Sequence, residues 1–202
     1  MRALHCAIVI SLLCSTVLYA QKEKKTVDLL HEAFDVRDAL LEAAAKGKIH
    51  LIIAPGVFGS LTMNTKDKLP AEAIKLLAAS VGCVVTKHRD ITLIVPAKNT
   101  TPPNLPELTI ADSKKTKSLI VRSAEVRQEL LKLAKACELP IIIGRKLDSR
   151  CTIKLGEVPI KDALEALAWV NGFSWTILDK VVFIGKKAEV DLARRSFDFQ
   201  KR

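Results

Sequence analysis

The chain has 202 residues, and its 32 lysines and arginines outnumber its 22 acidic residues, which gives a net charge of +10 at pH 7. This basic excess favours anionic partners such as a cell-wall polymer, acidic lipid headgroups, nucleic acid or an acidic protein face, but a simple solvated surface has the same composition. The five cysteines form no CxxC pair and no Cys/His cluster at metal-ligand spacing, which argues against a zinc site.

The first twenty residues have the pattern of a secretory signal peptide. One basic residue precedes an apolar run over residues 6–18, and a small residue, Ala20, comes before a polar segment. We expect cleavage between Ala20 and Gln21 and export to the periplasm or beyond. A permanent anchor would need about 20 apolar residues. A lipoprotein would use Cys14 but lacks the small residue before it, so both alternatives are less favoured.

The remainder of the chain is a tandem duplication. Residues 30–95 and 120–185 align without a gap at a constant offset of 90. Fourteen positions are identical, and ten of them are apolar. The other four are the pairs Arg37/Arg127, Thr62/Thr152, Gly82/Gly172 and Thr86/Thr176. Because the retained positions are packing positions and turns, the duplication preserves a scaffold rather than an active site.

Each copy has the pattern β-α-β-β-α-β-β, which predicts an α+β protein of two tandem small domains, each with two helices packed between small sheets. For the first copy we predict strands at 29–30, 51–53, 61–63, 84–87 and 91–95, with helices at 35–46 and 70–81. For the second we predict strands at 119–121, 141–143, 151–155, 173–177 and 181–184, with helices at 125–137 and 159–171. Asn171-Gly172 should cap the last helix, and Asp179-Lys180 should form a hairpin turn.

These elements define the domain boundaries. We expect a signal peptide at 1–20, domains at 26–96 and 117–186, a proline-rich linker at 97–116 and a charged tail at 187–202. Three prolines restrict the linker to extended conformations. A unit of about 70 residues is only marginally stable alone, so we expect one copy to pack on the other. For the tail a short helix and disorder are both open, and we expect little order.

Three cysteines, Cys83, Cys137 and Cys151, remain after removal of the signal peptide. Cys83 and Cys151 align with Phe173 and Leu61 of the other copy, so buried free thiols are the first expectation. A disulfide between Cys137 and Cys151 is the alternative in an oxidising compartment.

The sequence contains no recognisable catalytic motif, neither a phosphate-binding loop, a nucleophile elbow nor an HExxH helix. His31, His50 and His88 are scattered, and we expect them on the surface or in loops. Asp35 and Asp38 fit a helix N-cap and first turn. We therefore predict a non-enzyme with no catalytic residue, cofactor, metal or small-molecule substrate. An enzyme would require a pocket that gathers one of the histidines with a carboxylate of the other copy.

Trp169 and Trp175 are the residues that we single out for partner binding. They replace Ala79 and Val85 of the first copy, and tryptophan is enriched among interface anchors. The alternative is that both fill core or inter-domain space. Exposed sheet edges offer a second route, in which a partner segment adds a strand.

Both copies resemble the secretin and TonB N-terminus short (STN) domain, over most of residues 27–96 and 117–185. The matching segments are 34–41, 49–55, 59–63, 69–70 and 73–82 in the first copy, and 124–127, 141–143, 151–155, 158–164, 171–173 and 181–184 in the second. The resemblance implies two helices held between small sheets. It also implies a docking or signalling role in the bacterial envelope, where such modules occur at the periplasmic end of secretin channels and of some TonB-dependent receptors.

No long β-rich region follows residue 185 in this sequence, so the resemblance implies docking without a pore or receptor barrel. We predict an exported docking module whose protein partner belongs to a secretion or TonB-linked assembly. The alternative is a basic module that binds an anionic polymer such as peptidoglycan or DNA. Binding through lysine and arginine would weaken steeply with ionic strength, which separates the two hypotheses.

Overall fold

The computed structural model describes residues 26–110 and 114–200. The predicted signal peptide, with its cleavage site between Ala20 and Gln21, lies outside these residues, as does the side chain of His31. Within the described residues the fold is α+β, with five helices and small sheets, as the sequence predicts. Among the helices of these residues, none combines the length and the apolar character needed to cross a membrane.

Seven elements form each repeat, in the predicted order. The first repeat contains β1 (Val27–Asp35), α1 (Val36–Lys46), β2 (His50–Ile53), β3 (Ser60–Lys68), α2 (Pro70–Ser80), β4 (Cys83–His88) and β5 (Ile91–Pro96). The second contains β6 (Leu119–Glu125), α3 (Val126–Ala136), β7 (Ile141–Ile143), β8 (Arg150–Leu155), α4 (Ile160–Asn171), β9 (Ser174–Leu178) and β10 (Val181–Gly185). A further helix, α5 (Lys187–Gln200), follows. β1, β3 and β6 are longer than predicted, and the other elements of the two repeats differ from the prediction by no more than one or two residues at their ends.

Local sequence explains where several elements begin and end. The carboxylate of Asp35 accepts the backbone N–H of Arg37 at 2.9 Å and so caps α1. Gly172 ends α4 in the left-handed conformation, with φ 61°, which a residue without Cβ adopts at little cost. Asp179 and Lys180 both have positive φ and form the two-residue turn between β9 and β10.

Strand pairing repeats along with the sequence. β1 pairs antiparallel with β3, and β6 pairs in the same way with β8. β5 lies between its parallel neighbour β2 and its antiparallel neighbour β4, just as β10 lies between β7 and β9. The register also recurs 90 residues later, since Ile52 faces Leu93 and Ile142 faces Phe183.

An irregularity of the first strand is retained in both repeats, and it explains one of the conserved threonines. The pairing of β1 with β3 shifts near Ala33, and that of β6 with β8 shifts near Ser123. Both residues have positive φ, 50° and 51°. The N–H of Ala33 donates to Oγ1 of Thr62 at 3.3 Å, and that of Ser123 donates to Oγ1 of Thr152 at 3.4 Å. The threonine hydroxyl thus satisfies an N–H that the bulge removes from the ladder.

A five-stranded sheet crosses the boundary between the repeats. Its order is β4-β5-β2-β8-β6, because β2 of the first repeat pairs antiparallel with β8 of the second. The two-stranded β1-β3 sheet and the three-stranded β7-β10-β9 sheet remain separate. Buried residues of both repeats belong to one hydrophobic cluster. The prediction that one copy packs on the other is therefore confirmed, and a shared sheet makes the contact.

The described part of the linker contacts the rest of the protein at several points. A short 3₁₀ turn, Ala97–Asn99, begins it, and its Leu108 is buried. Near its end, Lys115 forms an isolated bridge with Pro159. The hydroxyl of Thr116 donates to the carbonyl of Gly156. The described part of the linker is therefore extended, as its prolines predict, and also packed.

The expectation of little order in the tail is wrong, and the alternative of a helix is the one that forms. α5 forms over 14 residues and packs on β9 and β10. Its Val190 side chain is buried, and the carboxylate of Glu189 accepts the N–H groups of Lys146 and Lys186 at 3.2 and 3.1 Å. The sequence did not predict this helix because the segment is highly charged. One buried apolar residue and one capping carboxylate attach it to the rest of the protein.

Candidate functional site: the junction between the repeats and the open strand edges

The junction between the repeats begins with the pairing of β2 and β8. Leu51, Ile52 and Ile53 face Lys154, Ile153 and Thr152 respectively. Ile52 and Ile153 meet at the centre of this pairing, and both are fully buried. At about 25 cal/mol per Å² of apolar surface, burial of such side chains makes the junction a substantial part of the core.

Helix α4 forms the second layer of the junction. It packs against β2, β4 and β5 of the first repeat as well as against its own repeat. All twelve of its residues are consequently buried or half-buried. α4 is therefore an interior helix that belongs to both repeats.

A polar cluster joins α4 to the turn after β4. His88 Nε2 lies 2.9 Å from Glu165 Oε2, and the Arg89 guanidinium lies 3.1 Å from Asp162 Oδ1. The ring of His88 also meets that of Trp169 edge-on, at a centroid distance of 6.3 Å. The structure thus brings a histidine of one copy to carboxylates of the other, which the sequence did not reveal because the partners are 77 residues apart.

The side chains of this cluster are already paired with one another, which limits the chemistry that they can perform. The donor atoms of His88, Asp162 and Glu165 lie within 4.8 Å of one another, close enough to share one cation. Arg89 and His88, however, already partner both carboxylates. His88, Asp162 and Glu165 do not line the two clefts described below. We interpret the cluster as a clamp between the repeats.

A second histidine also lies at the junction. Nδ1 of His50 accepts the N–H of Gly156 at 2.9 Å, and Nζ of Lys154 donates to the carbonyl of Ile49 at 3.0 Å. Burial lowers the pKa of Lys154. The expectation that His50 and His88 are surface or loop residues is therefore wrong, since both bridge the two repeats.

The two tryptophans lie inside the protein. Both are buried, and their indole N–H groups donate to linker carbonyls: Trp169 to Asn99 at 3.0 Å and Trp175 to Pro106 at 2.8 Å. This arrangement corresponds to the alternative in which both fill core or inter-repeat space. In this structure neither side chain presents an exposed anchor, and their polar atoms hold the linker in place.

Two clefts accompany these features. One, of about 380 Å³, lies between the linker and the end of α4 and is bordered by Trp169, Phe173 and Lys187. The other, of about 520 Å³, lies between α1 and β6 and is bordered by Phe34 and Ile120. Both are open to solvent.

The three described cysteines are free thiols. In this structure Cys137 and Cys151 are not bonded to each other. Sγ of Cys137 donates to the carbonyl of Ala134 at 3.5 Å at the end of α3, whereas Cys151 is buried in β8 beside Asn171. Burial raises the pKa of Cys151 to about 12, so its thiol stays protonated at neutral pH.

Among the edge strands of the described residues, β7 and β3 are the two whose counterparts in the other repeat are paired on both sides. β7 pairs only with β10, although the equivalent strand β2 is paired on both sides. β3 pairs only with β1, although the equivalent strand β8 is also paired on both sides. Ile142 in β7 is 53% exposed, whereas its counterpart Ile52 is 0% exposed. These edges are the candidate interaction sites.

No protein-family model matches the sequence, and a search of curated proteins gives no significant match. The resemblance to the STN domain therefore remains a prediction from the motifs.

Proposed function

We propose that this chain is an exported, non-enzymatic docking module of a Gram-negative-type cell envelope, built from two fused STN-like repeats. Its role would be to recruit a protein partner in a secretion or TonB-linked assembly. The α+β fold of each repeat and the packing motifs support this proposal. The polar cluster at the junction supports it too, because its carboxylates are used to join the repeats.

The observation that carries the proposal is the open edge of β7. An unpaired strand edge offers N–H and C=O groups to an extended segment of a partner, and the neighbouring side chains provide specificity. Ile142 adds an exposed apolar side chain at the centre of this edge. The chain already uses this mode internally, where β8 pairs with the equivalent edge of β2.

The proposal can be tested by site-specific photo-crosslinking in intact cells. A photoreactive residue at position 142 should capture a protein partner from the periplasmic fraction. Position 199 provides a control with an exposed apolar side chain, because Phe199 is 81% exposed near the end of α5 and does not belong to a strand edge. Equal capture from both positions, or location of the protein in the cytoplasm, would contradict the proposal.

Salt dependence separates this role from binding to an anionic polymer. Capture through a strand edge and an apolar side chain should change little between low and high ionic strength. Polymer binding through lysine and arginine should fall steeply. Retention on peptidoglycan or DNA that is lost in salt, without a crosslink from position 142, would favour the polymer hypothesis.

A further inference from the structure

The two strand edges that form the junction between the repeats each have a counterpart in the chain that is not paired. Internally, the edge of β2 meets the edge of β8. The counterpart of β2 is β7, at one end of the protein, and the counterpart of β8 is β3, at the other end. Both counterparts lack a second neighbour among the described residues. One copy therefore presents at its two ends the two halves of a contact that it already makes.

The side chains at these ends are apolar at the positions whose counterparts are buried in the internal junction. Ile142 is largely exposed, while its counterpart Ile52 is fully buried. Leu76 of α2 is 47% exposed, while its counterpart Ala166 of α4 is 0% exposed. Met63 in β3 is half-buried, whereas its counterpart Ile153 is fully buried. Exposed apolar residues at matched positions indicate that burial against another surface would be favourable.

We infer that copies of this chain associate head to tail, with β7 of one copy pairing antiparallel with β3 of the next. This inference rests on the proposed docking function and names the partner at these edges. The internal register specifies the new one: Ile141, Ile142 and Ile143 face Asn64, Met63 and Thr62 of the neighbouring copy. The hydroxyl of Thr62 already binds the β1 bulge, as that of Thr152 binds the β6 bulge within the internal junction.

The contact joins two different surfaces, so it leaves one β3 edge and one β7 edge free in every dimer. Such a heterologous contact extends into rings or filaments, unlike a two-fold contact, which closes at the dimer. A two-fold contact would need β7 to pair with β7 or β3 with β3, and the internal junction provides no example of either. The internal junction therefore favours the head-to-tail arrangement.

Helix α5 limits this association. α4 lies on the face of the five-stranded sheet that bears His88 of β4. Thr86 is two residues before His88 on the same strand, so its side chain is on the same face. Thr176 is the counterpart of Thr86, and the Nε of Arg194 in α5 donates to its hydroxyl at 3.4 Å. α5 therefore covers the face of the three-stranded β7-β10-β9 sheet that corresponds to the face of the five-stranded sheet covered by α4. A docking copy would bring its own α2 to this face, so α5 must move away from β9 and β10.

The intermolecular contact should also be weaker than the internal one. The internal junction contains the ion pair of Arg89 with Asp162. The residues at the corresponding positions are Asp179 and Glu72 of the neighbouring copy, both acidic. Without a matching ion pair, and with α5 in competition, association should depend strongly on protein concentration. Val190 is the one buried apolar side chain of α5 among the described residues, so Val190→Asp should release the helix and strengthen association.

The test uses the mature chain in sedimentation velocity over a range of concentrations. Ile142→Lys should block the β7 surface, and Met63→Glu should block the β3 surface, so each variant alone should remain monomeric. A 1:1 mixture should form dimers, because the unaltered β7 of one variant meets the unaltered β3 of the other. Complementation also shows that both variants are folded, and far-UV circular dichroism provides an independent check.

Three results would overturn the inference. The first is a monomer at up to about 1 mM for both the wild-type chain and Val190→Asp, since this is the weak end of specific association. The second is self-association that either single variant fails to reduce. The third is failure of the mixture to form dimers. A crosslink from position 142 to a different protein, with a monomeric purified chain, would retain the docking function and remove the head-to-tail partner.

Discussion

The second helices of the two repeats, α2 and α4, descend from one pattern but occupy different environments. α2 exposes about half of its residues, including Leu76, whereas every residue of α4 is buried or half-buried. The difference arises because the first repeat places a sheet against α4, while no described element covers the same face of α2. At equivalent positions, α4 has the buried residues Ala166 and Trp169 where α2 has the exposed residues Leu76 and Ala79.

The comparison shows that the burial of a residue depends on whether the other repeat packs against it, and not on its position within its own repeat. Equivalent residues share a backbone conformation and a register. They differ in whether another repeat lies next to them. Substitution of the same position in both repeats therefore measures the junction directly, with the fold held constant.

The largest effect is expected at the centre of the β2 edge. Ile52→Ala should lower the free energy of unfolding by about 2–5 kcal/mol, since it leaves a cavity at a fully buried site. Ile142→Ala, at the same position of the second repeat, should cost less than about 1 kcal/mol. Urea denaturation at low protein concentration measures both. Equal losses would show that the two strands are equally buried.

A smaller effect is expected when α2 and α4 each receive the residue that the other has at one equivalent position. Ala166→Leu gives α4 the residue of α2 and should cost about 1–3 kcal/mol, because the larger side chain must fit between a helix and a sheet. The reciprocal change, Leu76→Ala, should alter stability by less than about 0.5 kcal/mol. Thermal unfolding of the two variants provides the comparison. Tolerance of leucine at position 166 would indicate that the sheet is not packed on α4.

The sequence predicted the features that depend on neighbouring residues. The Asp35 cap, the left-handed Gly172 and the Asp179-Lys180 turn each follow from the chemistry of two or three adjacent residues. The order of strands and helices followed from apolar periodicity, and the offset of 90 transferred it from one repeat to the other.

The junction could not be predicted in the same way. The strands that contain Ile52 and Ile142 are nearly alike in sequence, yet one is paired on both sides and the other on one. This difference depends on where β8 lies in space. For the same reason, the partners of His50 and His88 are residues far along the chain. Trp169 and Trp175 are large amphipathic side chains that suit an interface or an interior equally, so burial alone distinguishes the two.

The conserved threonines should show a further difference between the junction and the open edge. Thr152→Val removes the hydroxyl that accepts the Ser123 N–H within a five-stranded sheet, and it should cost about 1 kcal/mol. Thr62→Val removes the same contact at an exposed edge, where water can replace it, and it should cost less than about 0.5 kcal/mol. Chemical denaturation resolves this difference. A greater loss at Thr62 would be inconsistent with the open edge of β3.

The smallest effect concerns acid stability at the start of α1. The side-chain hydrogen bonds from Arg37 lower the pKa of Asp35 below its ordinary value of 3.8. A carboxylate with a lowered pKa stabilises the fold above its unfolded value, and this contribution is lost as the pH falls through the folded value. Asp35→Asn should therefore reduce the loss of stability below about pH 4. An unchanged acid titration of unfolding would show that the pair is not formed in solution.

The shared sheet itself is tested most directly by hydrogen exchange of single backbone amides, measured by NMR with the protein monomeric. Ala54 donates its N–H to Ile94, and Gly144 donates its N–H to Ile184, at equivalent positions. Because amides alternate along a strand, those of Leu51 and Ile53 point towards β8, whereas those of Ile141 and Ile143 point to the open edge. We predict slow exchange at Leu51 and Ile53 and fast exchange at Ile141 and Ile143. Equally fast exchange at all four amides would show that no sheet crosses the boundary between the repeats.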